Sequence, residues 1–221
     1  MRRQQTHTRT PADDSFDMKK QVPDELKYND INKFITHKDV NTILKKNGIN
    51  EKIKHLDFYQ LAFIHKSYCK DENTKENVFV RQTKNIDGVE VMELQNRSYE
   101  RLEYLGDTYL ATVVATYLYK RFEQEEGFLT RMRTRLVNGD TVALFSRVLK
   151  LPQFVVISKH IEENCNGRNN KKILEDVFEA FIGAIIEDFG DPSEGGKGYE
   201  IACTLITNII HNNIGFAELV L

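Results

Sequence analysis

No apolar run in this sequence approaches the roughly 18 residues that would suggest a membrane-spanning helix. The stretch Met1 to Lys20 is polar and lacks the apolar core of a signal peptide, so a soluble protein of the cell interior, in the cytoplasm, is expected. Cysteine is scarce. Cys69, Cys165 and Cys203 lie far apart, are odd in number and form no CxxC pair, which argues against a disulfide framework or a zinc site and suits a reducing compartment. In that setting the Asn96-Arg97-Ser98 sequon is a chance match. Four prolines and twelve glycines are too few for a disordered or fibrous chain. There is also no basic excess: the formal net charge is -2. Any surface for a polyanion must come from local clustering, and nearby carboxylates would partly cancel it unless a metal ion lay between them and the phosphates.

What the chain has is apolar mass. Of its 221 residues 40% are hydrophobic, with 13 Phe and 9 Tyr, enough for one large domain or a domain with an added segment. Residues 1–38 read as an N-terminal extension, partly disordered, with 1–25 a polar tail. The alternative for that tail is a short basic arm of Arg2, Arg3 and Arg9. The domain proper covers 39–221. Its first helix is predicted from an Asp39 cap through Val40, Ile43 and Leu44 to a stop at Gly48. A second is predicted over 57–66. Residues 70–98 lose helical periodicity and read as an inserted loop or small hairpin turning at Asp87-Gly88, with Val89 to Val91 as the return strand. Further helices are expected over 99–122, 129–138, 140–150, 171–189 and 198–212, with 153–170 irregular and a linker beginning at Asp191. The second half of the 99–122 helix is apolar nearly all round, as buried helices are. The architecture is essentially all-α.

Two acidic stripes stand out in the most apolar helices. Steps of three and seven residues return to one helical face, so Glu100, Glu103 and Asp107 line up within Glu100-Arg-Leu-Glu103-Tyr-Leu-Gly-Asp107. Asp176 and Glu179 share a face three residues apart, among Leu174, Val177, Phe178, Phe181 and Ile182. Packed together, the helices would gather up to five carboxylates, with no Lys or Arg on the same stripes. Such a group repels itself, and a hard divalent cation with oxygen ligands relieves the repulsion. A carboxylate-bound Mg²⁺ can activate water and steady a leaving phosphodiester oxygen. The competing reading is a set of solvated helix faces paired with Arg97, Arg101 or Lys172.

The same residues carry a family likeness. Glu100-Arg-Leu-Glu-Tyr-Leu-Gly-Asp107 resembles the ribonuclease III signature, ERLEFLGD in its common form. Leu61-Ala-Phe-Ile-His-Lys-Ser-Tyr68 resembles the family's L-x-H-x-S-Y element upstream. Glu126-Gly-Phe-Leu-Thr-Arg-Met-Arg-Thr-Arg-Leu-Val137 resembles its EGxLSxxRxxLV helix. Ile173-Leu-Glu-Asp-Val-Phe-Glu-Ala-Phe-Ile-Gly-Ala184 resembles its ILaDxxEAliGA helix. The four motifs occur in the family's order and cover roughly residues 55–190.

The resemblance implies the helical fold of a ribonuclease III endonuclease domain, here with the N-terminal extension and the loop or hairpin insert. It implies a homodimer whose subunits each bring one acid cluster to a shared cleft, bind Mg²⁺ (Mn²⁺ substituting) and hydrolyse one strand of double-stranded RNA. The products would carry 5′-phosphates, 3′-hydroxyls and short 3′ overhangs. By motif position Glu103, Asp107, Asp176 and Glu179 would be metal ligands, with Asp107 and Glu179 foremost in catalysis, and Glu100 and Glu126 supporting acids of the cleft. Tyr104 stands where the family usually has a Phe that inserts into the partner. Arg131, Arg133 and Arg135 spread around their helix, so that one or two can face RNA phosphate. A two-metal site needs no histidine, so His65 reads as structural. Gly106 inside a helix costs roughly 1 kcal/mol relative to Ala, and close helix packing beside the acids would explain it.

Three features depart from the family pattern. A double-stranded-RNA-binding domain normally follows, and no room for one remains before Leu221. The 70–98 segment is long for its place, and the N-terminal extension has no assigned role. The Asn- and Lys-rich texture resembles that of proteins from large DNA viruses and AT-rich protists, a likeness of composition only. A non-catalytic member of the same fold, binding double-stranded RNA or scaffolding a complex, is the rival reading. An unrelated all-α metallophosphohydrolase is the third, though it gives no reason for the His65 or Glu126 blocks.

Overall fold

A computed structural model of the protein describes residues 26–70, 79–190 and 196–214. The expected tail and basic arm at 1–25, most of the linker after Gly190 and part of the insert lie outside the described residues. In chain order the elements are α1 (His37–Lys46), α2 (Leu56–Leu61), β1 (Thr83–Ile86), β2 (Val89–Met92), α3 (Glu100–Arg121), α4 (Glu126–Leu136), α5 (Gly139–Val148), α6 (Lys159–Asn164), α7 (Lys171–Phe189) and α8 (Lys197–Asn213). No helix among the described residues is long and apolar enough to cross a membrane.

Helix α7 is the axis of the domain. Asn170 caps it, its side-chain oxygen accepting from Lys172 N and Ile173 N at 3.0 and 3.3 Å. Apolar residues all round let it bury against α3, α5, α8 and α2 at once. Phe178 meets Phe145 of α5, and Phe181 meets Tyr59 of α2 and Phe63 just beyond it, with ring centroids 5.5, 5.7 and 6.1 Å apart. Near the end of α7 the buried Asp188 carboxylate accepts from Lys54 N, His55 N and the Tyr59 hydroxyl, which fixes the start of α2.

Several expectations shift. The cap of α1 is Thr36 rather than Asp39. Asp39 N donates to Thr36 Oγ1 and Thr36 N donates to Asp39 Oδ2, a reciprocal capping box. Helix α2 stops at Leu61 rather than 66, because Ile64 leaves the helix to form a parallel bridge with Val156. The stretch expected to be irregular contains α6, capped by Ser158. Helix α3 buries only one face. Tyr104 and Tyr119 on its other side are 79% and 76% exposed.

The described part of the insert takes the hairpin, one of the two forms expected. Ile86 pairs with Val89 and Thr83 with Met92, and the two turn residues Asp87 and Gly88 both take positive φ, as a tight two-residue connection of twisted strands requires. Just before α1, Asn29, Asn32 and Ile35 are buried. The amides of Asn29 and Asn32 donate to the Ile157 carbonyl, and Ile157 N donates back to Asn32 Oδ1. This part of the N-terminal extension is thus tied into the fold.

Candidate active site

The acids of α3 and α7 meet because the two helices cross backbone against backbone. At Gly106 a Cβ would come within 1.7 Å of the Glu179 carbonyl oxygen, and at Gly183 within 2.2 Å of the Leu102 carbonyl oxygen. Only glycine at both positions permits this approach, which bears out the packing expected at Gly106.

On the outer side of the crossing lies an open cavity of about 350 Å³, lined by Glu100, Glu103, Tyr104, Asp107, Lys172, Glu175 and Glu179. Glu103 and Glu179 of that lining and the buried Asp176 beside them each offer a carboxylate oxygen, and these oxygens all lie within 4.8 Å of one another. Asp176 and Glu179 are buried and Glu103 is half-buried. Asp107 is exposed and lies outside this tightest trio, on the wall of the same cavity.

The electrostatics follow from that crowding. Burial, then the charge of Asp107 and of Glu175, push the Glu179 carboxyl up to about 8. Burial and the Asp176 charge push Glu103 up to about 7, against the pull of Lys172. Asp176 is held by two groups. The Tyr99 hydroxyl donates to its Oδ2 at 3.2 Å, and the Lys172 ammonium lies 2.8 Å from its Oδ1. That second contact is electrostatic rather than an aligned hydrogen bond, so Oδ1 is buried with no hydrogen-bond partner among the described residues. The contrast with Asp188, also buried but met by several donors, is instructive.

Lys172 corrects the expectation of stripes free of basic residues. Its ammonium also lies 3.5 Å from Glu175. Burial works against its charge, but contact with Asp176, Glu175 and Glu179 outweighs it and raises its pKa above the usual lysine value. Part of the solvated-face reading also holds, since Lys172 does pair with the α7 acids, and the exposed Glu100 pairs with a cation that reading did not name, Lys66, at 3.6 Å.

Glu175 and Tyr99 escaped the sequence reading, and Lys172 entered it only as a pairing partner in the solvated-face alternative. The i,i+4 spacings of Lys172 to Asp176 and of Tyr99 to Glu103 were the signal that sets both beside the acids.

Other expected residues lie elsewhere. Glu126 opens α4, where Thr130 Oγ1 donates to it at 2.7 Å, and it is not among the lining residues of the cavity. Arg131 and Arg133 are exposed on α4 and Arg135 is half-buried; none lines the acid cavity. His65 takes the structural role expected of it. Its Nδ1 accepts from Ser67 N at 3.1 Å, and burial lowers its pKa to about 4, so the ring is neutral.

Residues 55–193 match the sequence profile of a family described as Ribonuclease-III-like. Ribonuclease 3 of Francisella tularensis subsp. novicida is 44% identical over 93 residues, which is 42% of this chain and 39% of that protein. Ribonuclease 3 of Francisella tularensis subsp. tularensis gives the same figures, 44%, 42% and 39%. The chain thus spans about two-fifths, 39%, of the length of the curated relatives it matches. Among solved structures, a nuclease domain of ribonuclease III from Campylobacter jejuni superposes with a TM-score of 0.58 at 27% identity, covering 79% of this chain and 98% of that one. That structure is described as showing flexibility in a region involved in dimer formation. A second structure of the same domain gives a TM-score of 0.58 at 28% identity over 80% of this chain and 96% of the other.

Proposed function

The chain belongs to the Ribonuclease-III-like family, and from that premise we propose that it is an endonuclease that hydrolyses double-stranded RNA with Mg²⁺, as a homodimer in the cytoplasm. The observation that carries the proposal is the convergence of Glu103, Asp176 and Glu179 within 4.8 Å, two of them buried.

The residues present fit a divalent cation. The donor set is all carboxylate oxygen, which suits Mg²⁺ or Mn²⁺ better than zinc. Asp176 Oδ1 is buried without a hydrogen-bond partner among the described residues, and Glu103 and Glu179 are raised to about 7 and about 8, so Lys172 compensates their charged forms only in part. Glu103, Asp176 and Glu179 would hold the ion, with Asp107 at the wall of the cavity. When bound, Mg²⁺ supplies Lewis acidity toward a phosphodiester and its attacking water.

The protein's own groups do the rest. The helix crossing fixes the carboxylates before substrate arrives. Lys172 offers one positive charge to a phosphate entering the same cavity. Water bonding to phosphorus as the 3′ oxygen leaves gives 5′-phosphate and 3′-hydroxyl ends. Two such sites, one per subunit, would cut opposite strands and leave short 3′ overhangs. The exposed Tyr104, beside the acids on the outer face of α3, suits an interface with a second copy. The exposed Arg131 and Arg133 suit phosphate contact away from the cavity.

The test is cleavage of a long, fully paired RNA duplex at low salt, with Mg²⁺ and with EDTA, by the native chain and by Asp107→Asn and Glu179→Gln. Mg²⁺-dependent cutting by the native chain alone supports the reading. Undiminished cutting by either variant overturns the site assignment. Duplex binding without cutting points to the non-catalytic scaffold of the same fold.

A further inference from the structure

One ligand of the acid cluster is held by a side chain from outside it. Tyr99 immediately precedes α3 and is 2% exposed. Its main chain is pinned at both ends. Its N–H donates to the Ile64 carbonyl at 2.9 Å, and its carbonyl accepts from Leu102 N and Glu103 N at 2.8 and 2.9 Å. Its ring packs against His65, centroids 5.9 Å apart. His65 is itself fixed, with its N–H donating to the Val156 carbonyl at 3.0 Å and its Nδ1 2.9 Å from Ser67 Oγ. From this rigid base the Tyr99 hydroxyl crosses to α7 and donates to Asp176 Oδ2 at 3.2 Å.

We infer that Tyr99 is a positioning residue for the metal site, anchoring Oδ2 of Asp176 so that Oδ1 is presented to the cation. The inference rests on the metal-site reading above. Its physical basis is the geometry of a two-oxygen group. A carboxylate held at neither oxygen rotates about its terminal torsion and must be immobilised when a cation binds. One held at Oδ2 keeps Oδ1 aimed in advance, and that lowers the ordering cost of binding. The two oxygens of Asp176 show this division. Oδ2 has the hydroxyl, whereas Oδ1 has no hydrogen-bond partner among the described residues and faces the Lys172 ammonium. The competing account is that a buried tyrosine hydroxyl simply needs an acceptor. The two accounts differ in whether metal affinity depends on the hydroxyl.

Tyr99→Phe separates them, because it keeps the ring and its packing against His65. Mn²⁺ binding to the full chain is measured by calorimetry, beside thermal unfolding in EDTA as a check that the variant is folded. The expected result is a Kd for Mn²⁺ raised roughly tenfold, the low end of what losing such a supporting partner costs. The Mg²⁺ concentration for half-maximal cleavage should rise by the same factor, a shift that a purely structural hydroxyl would not produce. An unchanged Kd in the folded variant, with the native chain binding Mn²⁺, overturns the role of Tyr99 and leaves the metal site standing. A native chain that binds no Mn²⁺ overturns both.

Discussion

Gly106 stands against the main-chain carbonyl of Glu179, so close that a Cβ on the glycine would come within 1.7 Å of the oxygen. The obstacle is backbone, which cannot swing aside as the end of a flexible side chain would. Gly106→Ala should therefore force α3 and α7 apart. Overpacking costs about 1–3 kcal/mol in ordinary cores, and this site belongs at or above the upper end. Urea unfolding in EDTA gives the stability, and calorimetry should show weaker Mn²⁺ binding because the acids separate. A variant within about 0.5 kcal/mol of the native chain, the range of an uneventful surface change, would show that the helices do not cross as described.

Much of this crossing was legible in the sequence, and the limits are physical. Helix α7 spans the predicted 171–189 because a long apolar stretch with an Asn170 cap has few alternatives. The Asp87-Gly88 turn was readable for a similar reason, since few residue pairs tolerate two positive φ values. Helix α6 was not, because its six residues bury none and so leave no apolar period. The early end of α2 depends on Val156, a partner ninety-odd residues away by sequence that no local pattern reveals. The burial of Asn29 and Asn32 was hidden for the same reason, as polar residues read as solvent-facing until the Ile157 backbone groups that satisfy them are known. At the site the acid stripes were readable from spacing. Lys172 entered only as a pairing partner in the solvated-face alternative, although its place one turn before Asp176 sets it beside the acids.

Acid strength in the cluster makes stability depend on pH and metal together. Glu103 at about 7 and Glu179 at about 8 both lie above the ordinary value of 4.5. Between about 4.5 and 8 the folded, metal-free chain therefore holds more protons at these positions than the unfolded chain. Where the unfolded state binds fewer protons, stability falls as pH rises. In EDTA the contribution of these two groups should lower the melting temperature across that window. Metal binding requires the deprotonated carboxylates, so Mn²⁺ affinity should climb up to about pH 8 and then level, with proton release below it. The check is melting temperature and Mn²⁺ affinity measured from pH 5 to 9 in several buffers, a range on the order of the titration window. If Mn²⁺ affinity is flat across this range, the carboxyls are not raised.

Tyr104, 79% exposed on α3, sits on the lip of the acid cavity. In a two-fold dimer every interface residue counts twice, so truncating it removes two contacts. Aromatic anchors of this kind cost about 2 kcal/mol or more when cut back to alanine. In the proposed homodimer, Tyr104→Ala is expected to raise the dissociation constant by on the order of a thousandfold, two such losses together, read by sedimentation across a dilution series, with helical content unchanged. An unaltered dissociation constant would remove Tyr104 from the interface.

Lys172 poses the opposite question from the acids, because it already supplies a positive charge where a cation would bind. Its ammonium lies 2.8 Å from Asp176 Oδ1 and 3.5 Å from Glu175. In the metal-free protein that charge offsets part of the mutual repulsion of Glu103, Asp176 and Glu179. Once a divalent ion arrives, the same charge repels it and competes for Oδ1. Unit charges about 4 Å apart interact by about 1 kcal/mol in water and more at a protein surface. The side chain is 66% exposed, so solvent screens the effect toward the low end. Lys172→Met keeps the alkyl stem and removes only the charge. It should tighten Mn²⁺ binding by roughly fivefold, consistent with that screened interaction. Cleavage at saturating Mg²⁺ should nevertheless slow, because a phosphate in the cavity loses the one basic residue that lines it among the described residues. Weaker Mn²⁺ binding in the variant would mean that Lys172 organises the acids rather than competing with the cation, and that Asp176 depends on the ammonium for its orientation as well as on Tyr99.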